Sequence, residues 1–320
     1  MRIAVILISV PTFVVMSSCS SLDPNTRSMA TFVDAVPTTS SVQIPDSGPS
    51  ASESGILLFF SDRGGPTEIY AISPDEERLS NGPRRIIDQM DGSKAPAISP
   101  DGKRIAFMCE SDIFIINVDG TGLQRLTDTP AYESHPDWSP DGTQIAFISD
   151  RDGNREIYVM KTDASDIRRL TDNPADDMRP DWSPDGTRLL FNSEREGNWD
   201  IFVMNADGTE VEQLSDNPKW ELFPQWSPGG DQILFTLATA GRWDQQIYLM
   251  DSDGSNHVQL TQPPGINENP VWSPDGSRIA FQTDRDGNFE IYIMSVDGGD
   301  QVRITQHPSG DYWPSWGSLP

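Results

Sequence analysis

Apolar runs of five or six residues, separated by clusters of turn formers, recur from Gly55 to the end of the chain. Nowhere in that region do apolar positions keep the 3.6-residue spacing of an amphipathic helix. The unit from Pro136 to Arg179 shows the pattern. Pro136-Asp137-Trp138-Ser139 is short and extended, with Trp138 its largest apolar side chain. Pro140-Asp141-Gly142 is a turn: Pro presets one φ, Asp tolerates the next position, and Gly accepts the left-handed one. Gln144 to Ser149 (QIAFIS) is a buried strand by its β-branched and aromatic content. A second turn, Asp150 to Asn154, leads to the strand EIYVM at Glu156 to Met160. A third turn precedes the outer strand RRLT at Arg168 to Thr171, and a loop then crosses to the next unit. The prediction is four antiparallel strands per unit.

The unit repeats. PDWSPDG starts at Pro136 and Pro180, PQWSPGG at Pro224 and PVWSPDG at Pro270, with a degenerate PAISPDG at Pro96 and a truncated PSWG at Pro314. These prolines are 40, 44, 44, 46 and 44 residues apart, the period of a β-propeller blade. Second strands containing Leu57, Ile105, Ile145, Leu189, Ile233 and Ile279 count six blades. The first lacks its own Trp-containing strand, and Pro314–Gly317 is left over at the C-terminus. The expected architecture is therefore an all-β, six-bladed β-propeller, residues 55–320, closed by the C-terminal strand pairing into the first blade. Closure of this kind removes two exposed sheet edges.

The repeats resemble the WD40-like β-propeller repeats of the TolB family, which share the pattern WSPDG-xx-IAF-x-S-DRDGN-x-EIY. The resemblance covers residues 55–317 and implies a propeller that binds an envelope protein, such as a peptidoglycan-associated lipoprotein, in the periplasm. The family also carries an N-terminal α/β domain, for which the stretch before Gly55 has no room.

Upstream, Met1-Arg2 precedes a mostly apolar run from Ile3 to Met16 and then Ser17-Ser18-Cys19. That run has the length of a signal-peptide core and is short for a membrane span. Met16 to Cys19 resembles a lipobox, so residues 1–19 read as an export signal ending in a lipidated Cys19. An ordinary secretory signal is the alternative, and either exports the chain. Residues 20–54 hold nine Ser, four Thr and four Pro, the composition of a disordered tether. Anchoring to the membrane would be through lipid only. The other cysteine, Cys109, falls at the end of a second strand and reads as a buried thiol with no disulfide partner.

The formal net charge of −26 disfavours nucleic acid and anionic membrane surfaces as partners. Position says more than charge. The loop after each second strand and the loop crossing to the next blade should share one face, around the mouth of the central channel. Three residues before the key proline, the crossing loops carry Glu133, Asp177, Glu221 and Asp311, with Ser93 and Asn267 completing the series. The other loops carry Arg63, Arg151, Arg195 and Arg285. These read either as inter-loop ion pairs or as a polar funnel for a cationic ligand, with the four acids as a possible Ca²⁺ set. The Asp-x-Asp-Gly of the DRDGN loops lacks the length and later ligands of an EF-hand loop. Aromatics of the same face do not repeat uniformly, so the scaffold does not require all of them: Tyr132, Trp199, Trp220, Phe223, Trp243, Tyr312 and Trp313. Aromatics beside carboxylates have the composition of an interaction hot spot.

No nucleophile elbow, phosphate loop or metal-ligand spacing occurs, and the three histidines fall in different repeats. The expectation is a monomeric, exported, non-catalytic module. It binds an envelope protein through Tyr132, Glu133, Asp177, Trp199, Trp220, Glu221, Phe223, Trp243, Tyr312 and Trp313. Glycan binding, or a metal-dependent lyase or hydrolase on the same face, is the alternative.

Overall fold

The computed structural model describes residues 55–74, 82–87, 90–238 and 244–318. The signal and tether, Cys19 and Trp243 lie outside them. Six four-stranded antiparallel sheets form the blades of a propeller. The inner strands, in ring order, are Asp311–Gly317, Lys94–Ile98, Glu133–Trp138, Asp177–Trp182, Trp220–Trp226 and Asn267–Trp272. Asp311–Gly317 pairs antiparallel with Ile56–Ser61, Leu57 opposite Trp316, so the C-terminal strand completes the first blade. Ring closure is as the orphan repeat implied.

The core lies between blades, because each sheet buries both faces. Within Gln144–Ser149, Ile145 and Phe147 pack toward blade two, while Ala146 and Ile148 pack toward Trp182, Leu189 and Phe191 of blade four. Six fully buried phenylalanines occupy one column of the second strands: Phe59, Phe107, Phe147, Phe191, Phe235 and Phe281. Removing such a ring costs about 3–5 kcal/mol. The WSPDG turn is closed by its own side chains. Asp141 accepts from the Ser139 hydroxyl at 2.6 Å and from the Thr143 amide at 3.0 Å, while Gly142 takes φ +67°. Where blade five has Gly229 instead, Asp231 accepts from Ser227 at 2.9 Å.

The inner strands begin earlier than the repeat suggested, at Glu133 rather than Pro136 in blade three, and each contains a bulge. Ser134 pairs with Ile148 and Asp137 with Ala146, so His135 and Pro136 stand opposite the single Phe147. Proline is tolerated here because the inner strand is an edge facing the channel and because the bulge interrupts the ladder. The residue before each proline has positive φ in all six blades: Ala95, His135, Arg179, Phe223, Asn269 and Trp313, at 50–59°.

Candidate functional site

The acids expected at the channel mouth are the first or second residues of the inner strands, and they are buried. Glu133, Asp177, Glu221 and Asp311 are each 0% exposed. Three are neutralised from the neighbouring loop. Arg151 pairs with Glu133, Arg63 with Asp311, and Arg195 with Asp177 at 2.7 Å. In blade six the same guanidinium, Arg285, donates to the Asn267 oxygen at 2.7 Å. At these three positions the inter-loop ion pairs that the sequence left open do form, and each arginine reaches back along its own blade and desolvates the pair. The carboxylates therefore present no surface to a partner. The four do not converge, and no cluster of three or more acid, His or Cys groups able to hold a metal occurs among the described residues.

The DRDGN loops are built as clamps. Asn154 donates to the carbonyls of Asn173 and Ala175, both at 2.9 Å, tying the crossing loop to the loop beside it. Asn198 and Asn288 repeat the arrangement in blades four and six. Asp152 accepts from the Tyr158 hydroxyl, so its carboxylate is spent within the blade.

Glu221 departs from the pattern. Blade five has Thr239 where blades one, three, four and six carry arginine. Neither carboxylate oxygen meets a hydrogen-bond partner among the described residues. Burial pushes its carboxyl up to about 7; the nearby Ser215 hydroxyl opposes this, and the charges of Asp200 and Asp216 add to it.

The aromatics behave differently, and several meet in one arc across the mouth. Phe289 lies against Tyr312 (centroids 5.4 Å), Tyr312 stacks on Phe60 (5.3 Å), and Phe60 meets Trp313 edge-on (5.4 Å). The Arg179 guanidinium bridges the channel, 4.5 Å from the Trp313 ring and 4.3 Å from Phe223. Phe223 and Trp220 then pack on a small cluster of Trp199, Leu222 and Ala238. Trp199, at 8% exposed, supports the arc from below. The rings of Phe60, Trp220, Phe223, Phe289, Tyr312 and Trp313 are partly exposed. Tyr132 stands apart, under Arg155.

Sequence reasoning missed the channel wall itself. The pre-proline bulge residues and the residues after the prolines line a cavity of about 150 Å³. Their backbone repeats while their side chains do not, and that variable column beside an invariant proline was the available signal. The bulges are held by the preceding blade: Asn192 donates to the Glu221 carbonyl (2.6 Å) and accepts from the Phe223 amide (3.0 Å), and Gln282 accepts from the Trp313 amide (2.7 Å). Beyond the prolines, Asp137 accepts from the Trp182 amide (2.9 Å) and Asp181 from the Trp226 amide (2.8 Å), linking blades around the ring. Burial raises the Asp137 carboxyl to about 7 and pushes Asp181 well above the usual carboxylate range, with the charge of Asp137 adding to the latter.

The family model of the TolB β-propeller domain matches residues 151–242 and 214–318, and that of the Tricorn protease N-terminal β-propeller domain matches 94–196. No curated protein matches. Among solved structures, TolB from Acinetobacter baumannii is 22% identical, with a TM-score of 0.74 over 83% of this chain and 67% of that one. Hydrazine synthase of Kuenenia stuttgartiensis is 17% identical, TM-score 0.69, over 83% and 47%. A manganese complex of oligogalacturonate lyase is 16% identical, TM-score 0.57, over 80% and 75%. At these identities the likenesses speak for the fold alone.

Proposed function

The chain belongs to the family of TolB β-propeller domains, and on that premise we propose that it is an exported, non-catalytic module that binds a protein of the cell envelope through the loop face around its channel. The observation that carries this reading is the arc of partly exposed rings from Phe289 through Tyr312, Phe60 and Trp313 to Phe223 and Trp220. The scaffold is satisfied without it, since the repeating Phe and Trp columns fill the spaces between blades. Rings of this size supply desolvated contact area at small entropic cost, the property of an interface anchor. The buried acids beneath, closed by arginines, keep the loops in place so that the rings are presented ready-formed. Export would follow from the segment before Cys19, with the lipidated cysteine as anchor and residues 20–54 as tether.

The test is affinity capture from detergent-solubilised envelope with the full chain and with Trp220→Ala and Tyr312→Ala variants. Loss of a hot-spot ring weakens binding by about 2 kcal/mol or more. A protein retained by the parent and lost by both variants supports the reading. Retention that is indifferent to both substitutions refutes it. Retention abolished by prior glycan digestion shows instead a saccharide stacked on the same rings.

A further inference from the structure

We propose that the loop-face half of the channel is a pocket for a carboxylate, gripped by Arg179, His135 and Asn269, and that the bound partner supplies it as an inserted acidic side chain. This rests on the loop face being the partner surface, and it reverses the charge preference that the whole-chain value of −26 suggests.

The six bulges set one side chain per blade at a single level of the channel, each on the same positive-φ backbone. A non-glycine residue at positive φ is strained, and six repetitions show that the strain belongs to the scaffold. The chemistry does not repeat: Ala95, His135, Arg179, Phe223, Asn269 and Trp313. Four of the six carry side-chain N–H donors, the Trp313 indole among them, and His135, Arg179 and Asn269 are the polar three.

Arg179 lies over the Phe223 and Trp313 rings, which leaves its in-plane N–H edge as its hydrogen-bonding side. His135 Nδ1 is 2.8 Å from Ser134 Oγ. Ser134 is 0% exposed, and no other acceptor for its hydroxyl occurs among the described residues. The hydroxyl therefore donates to Nδ1, and the ring proton sits on Nε2. That nitrogen is buried, lines the cavity and meets no partner among the described residues. Burial, then the charges of Arg179 and Arg155, hold the imidazole well below its ordinary pKa, so it acts as a neutral donor. Asn269 is 7% exposed, and its Nδ2 is likewise without a partner among the described residues. A polar group buried without a partner is destabilising, and two around one cavity point to an acceptor that completes them.

The acceptor is a monoanion with two oxygens in one plane. A guanidinium edge matches that shape by two parallel hydrogen bonds, and the neutral His and Asn add donors without charge. A dianion is disfavoured, because Arg179 is the only lysine or arginine among the described residues lining this cavity, and Asp137 and Asp181 line its wall. Those two carboxylates lie past the prolines, their oxygens turned to the Trp182 and Trp226 amides of the next blade. The channel is thus polarised, with donors toward the loop face and acceptors beyond. The cavity of about 150 Å³ takes a side chain, and the aromatic arc around its rim takes the segment that carries it.

The test titrates the full chain with N-acetyl-L-glutamate α-amide and with its glutamine and lysine counterparts, reading the imidazole nitrogens by NMR. His135 is assigned by the signal lost in His135→Asn, a residue that tolerates positive φ. The expected result is a saturable shift of His135 Nε2 with the glutamate compound, none with glutamine at the same concentration, and at least tenfold weaker binding in Arg179→Asn. Equal response to glutamine, preference for lysine, or indifference to Arg179→Asn overturns the proposal. The glutamate–glutamine comparison is made on the parent chain and does not depend on a variant folding. Partner capture that is lost in Trp220→Ala but unchanged in Arg179→Asn removes the carboxylate pocket and leaves the loop-face reading standing. A glutamate response without any partner dependent on Trp220 keeps the pocket, assigns it a free carboxylate, and removes the inserted side chain.

Discussion

Replacing Glu221 with Gln is expected to stabilise this protein at pH 8 and to leave it nearly unchanged near pH 4. Glu221 is 0% exposed, and neither oxygen has a hydrogen-bond partner among the described residues. Burial raises its carboxyl from the ordinary glutamate value of about 4.5 to about 7. The folded state therefore holds this proton more tightly than the unfolded chain does. Its contribution is fully present below about 4.5 and is lost as pH rises through 7, where the folded protein must bury a bare carboxylate. A rise of about 2.5 units corresponds to roughly 3 kcal/mol at 1.36 kcal/mol per unit. Glutamine has no charge to bury, so above pH 7 the variant should exceed the parent by up to about 3 kcal/mol, or roughly 6–12 °C in Tm. Urea unfolding of the full chain at pH 4 and pH 8 measures both. The same substitution at the equivalent position of blade three has the opposite sign. Glu133→Gln strands the Arg151 guanidinium and should destabilise at pH 8 by about 3 kcal/mol, the low end for a broken buried pair because Arg151 keeps 22% exposure. A parent chain more stable than Glu221→Gln at pH 8, or a difference that does not vary with pH, refutes the reasoning.

Two further outcomes bear on closure and anchoring. Deleting residues 314–320 removes Trp316 from the first blade and reopens Ile56–Ser61 as an edge. Loss of that Trp alone costs about 3–5 kcal/mol, or roughly 10 °C in Tm, and an unchanged thermal transition would rule out closure by this strand. Cys19→Ala should move the exported chain from the membrane fraction to the soluble fraction, whereas unaltered partition would show that Cys19 carries no anchor.

Much of the fold was readable because it repeats. A turn closed by its own Ser, Asp and Gly is a local event, and an alternating strand is a local event, so residues 136 to 179 sufficed to write the blade. The inner strand was misjudged at its start for a non-local reason. Proline looks like a boundary until the sheet is seen to end there, on a channel, with a bulge absorbing the extra residue. The aromatics were found because they break the period, and Tyr312, Trp313, Phe223 and Trp220 do come together in one arc. Phe60 was passed over because it looks like an ordinary strand residue until the C-terminal strand is laid beside it.

What the chain alone determined is the number of blades, their four-stranded build, the need for a closing strand and the face on which the loops gather. These follow from spacing and from propensities that act over a few residues. Only the tertiary structure decided which charges are surface and which are skeleton. Whether Glu133 meets solvent depends on Arg151, eighteen residues away and brought back by a hairpin, and on the desolvation that the packed loops impose. The channel wall is likewise invisible in one dimension, since His135, Arg179 and Asn269 are neighbours only after six blades have closed into a ring. Burial and convergence are properties of the closed ring, and no single repeat contains them.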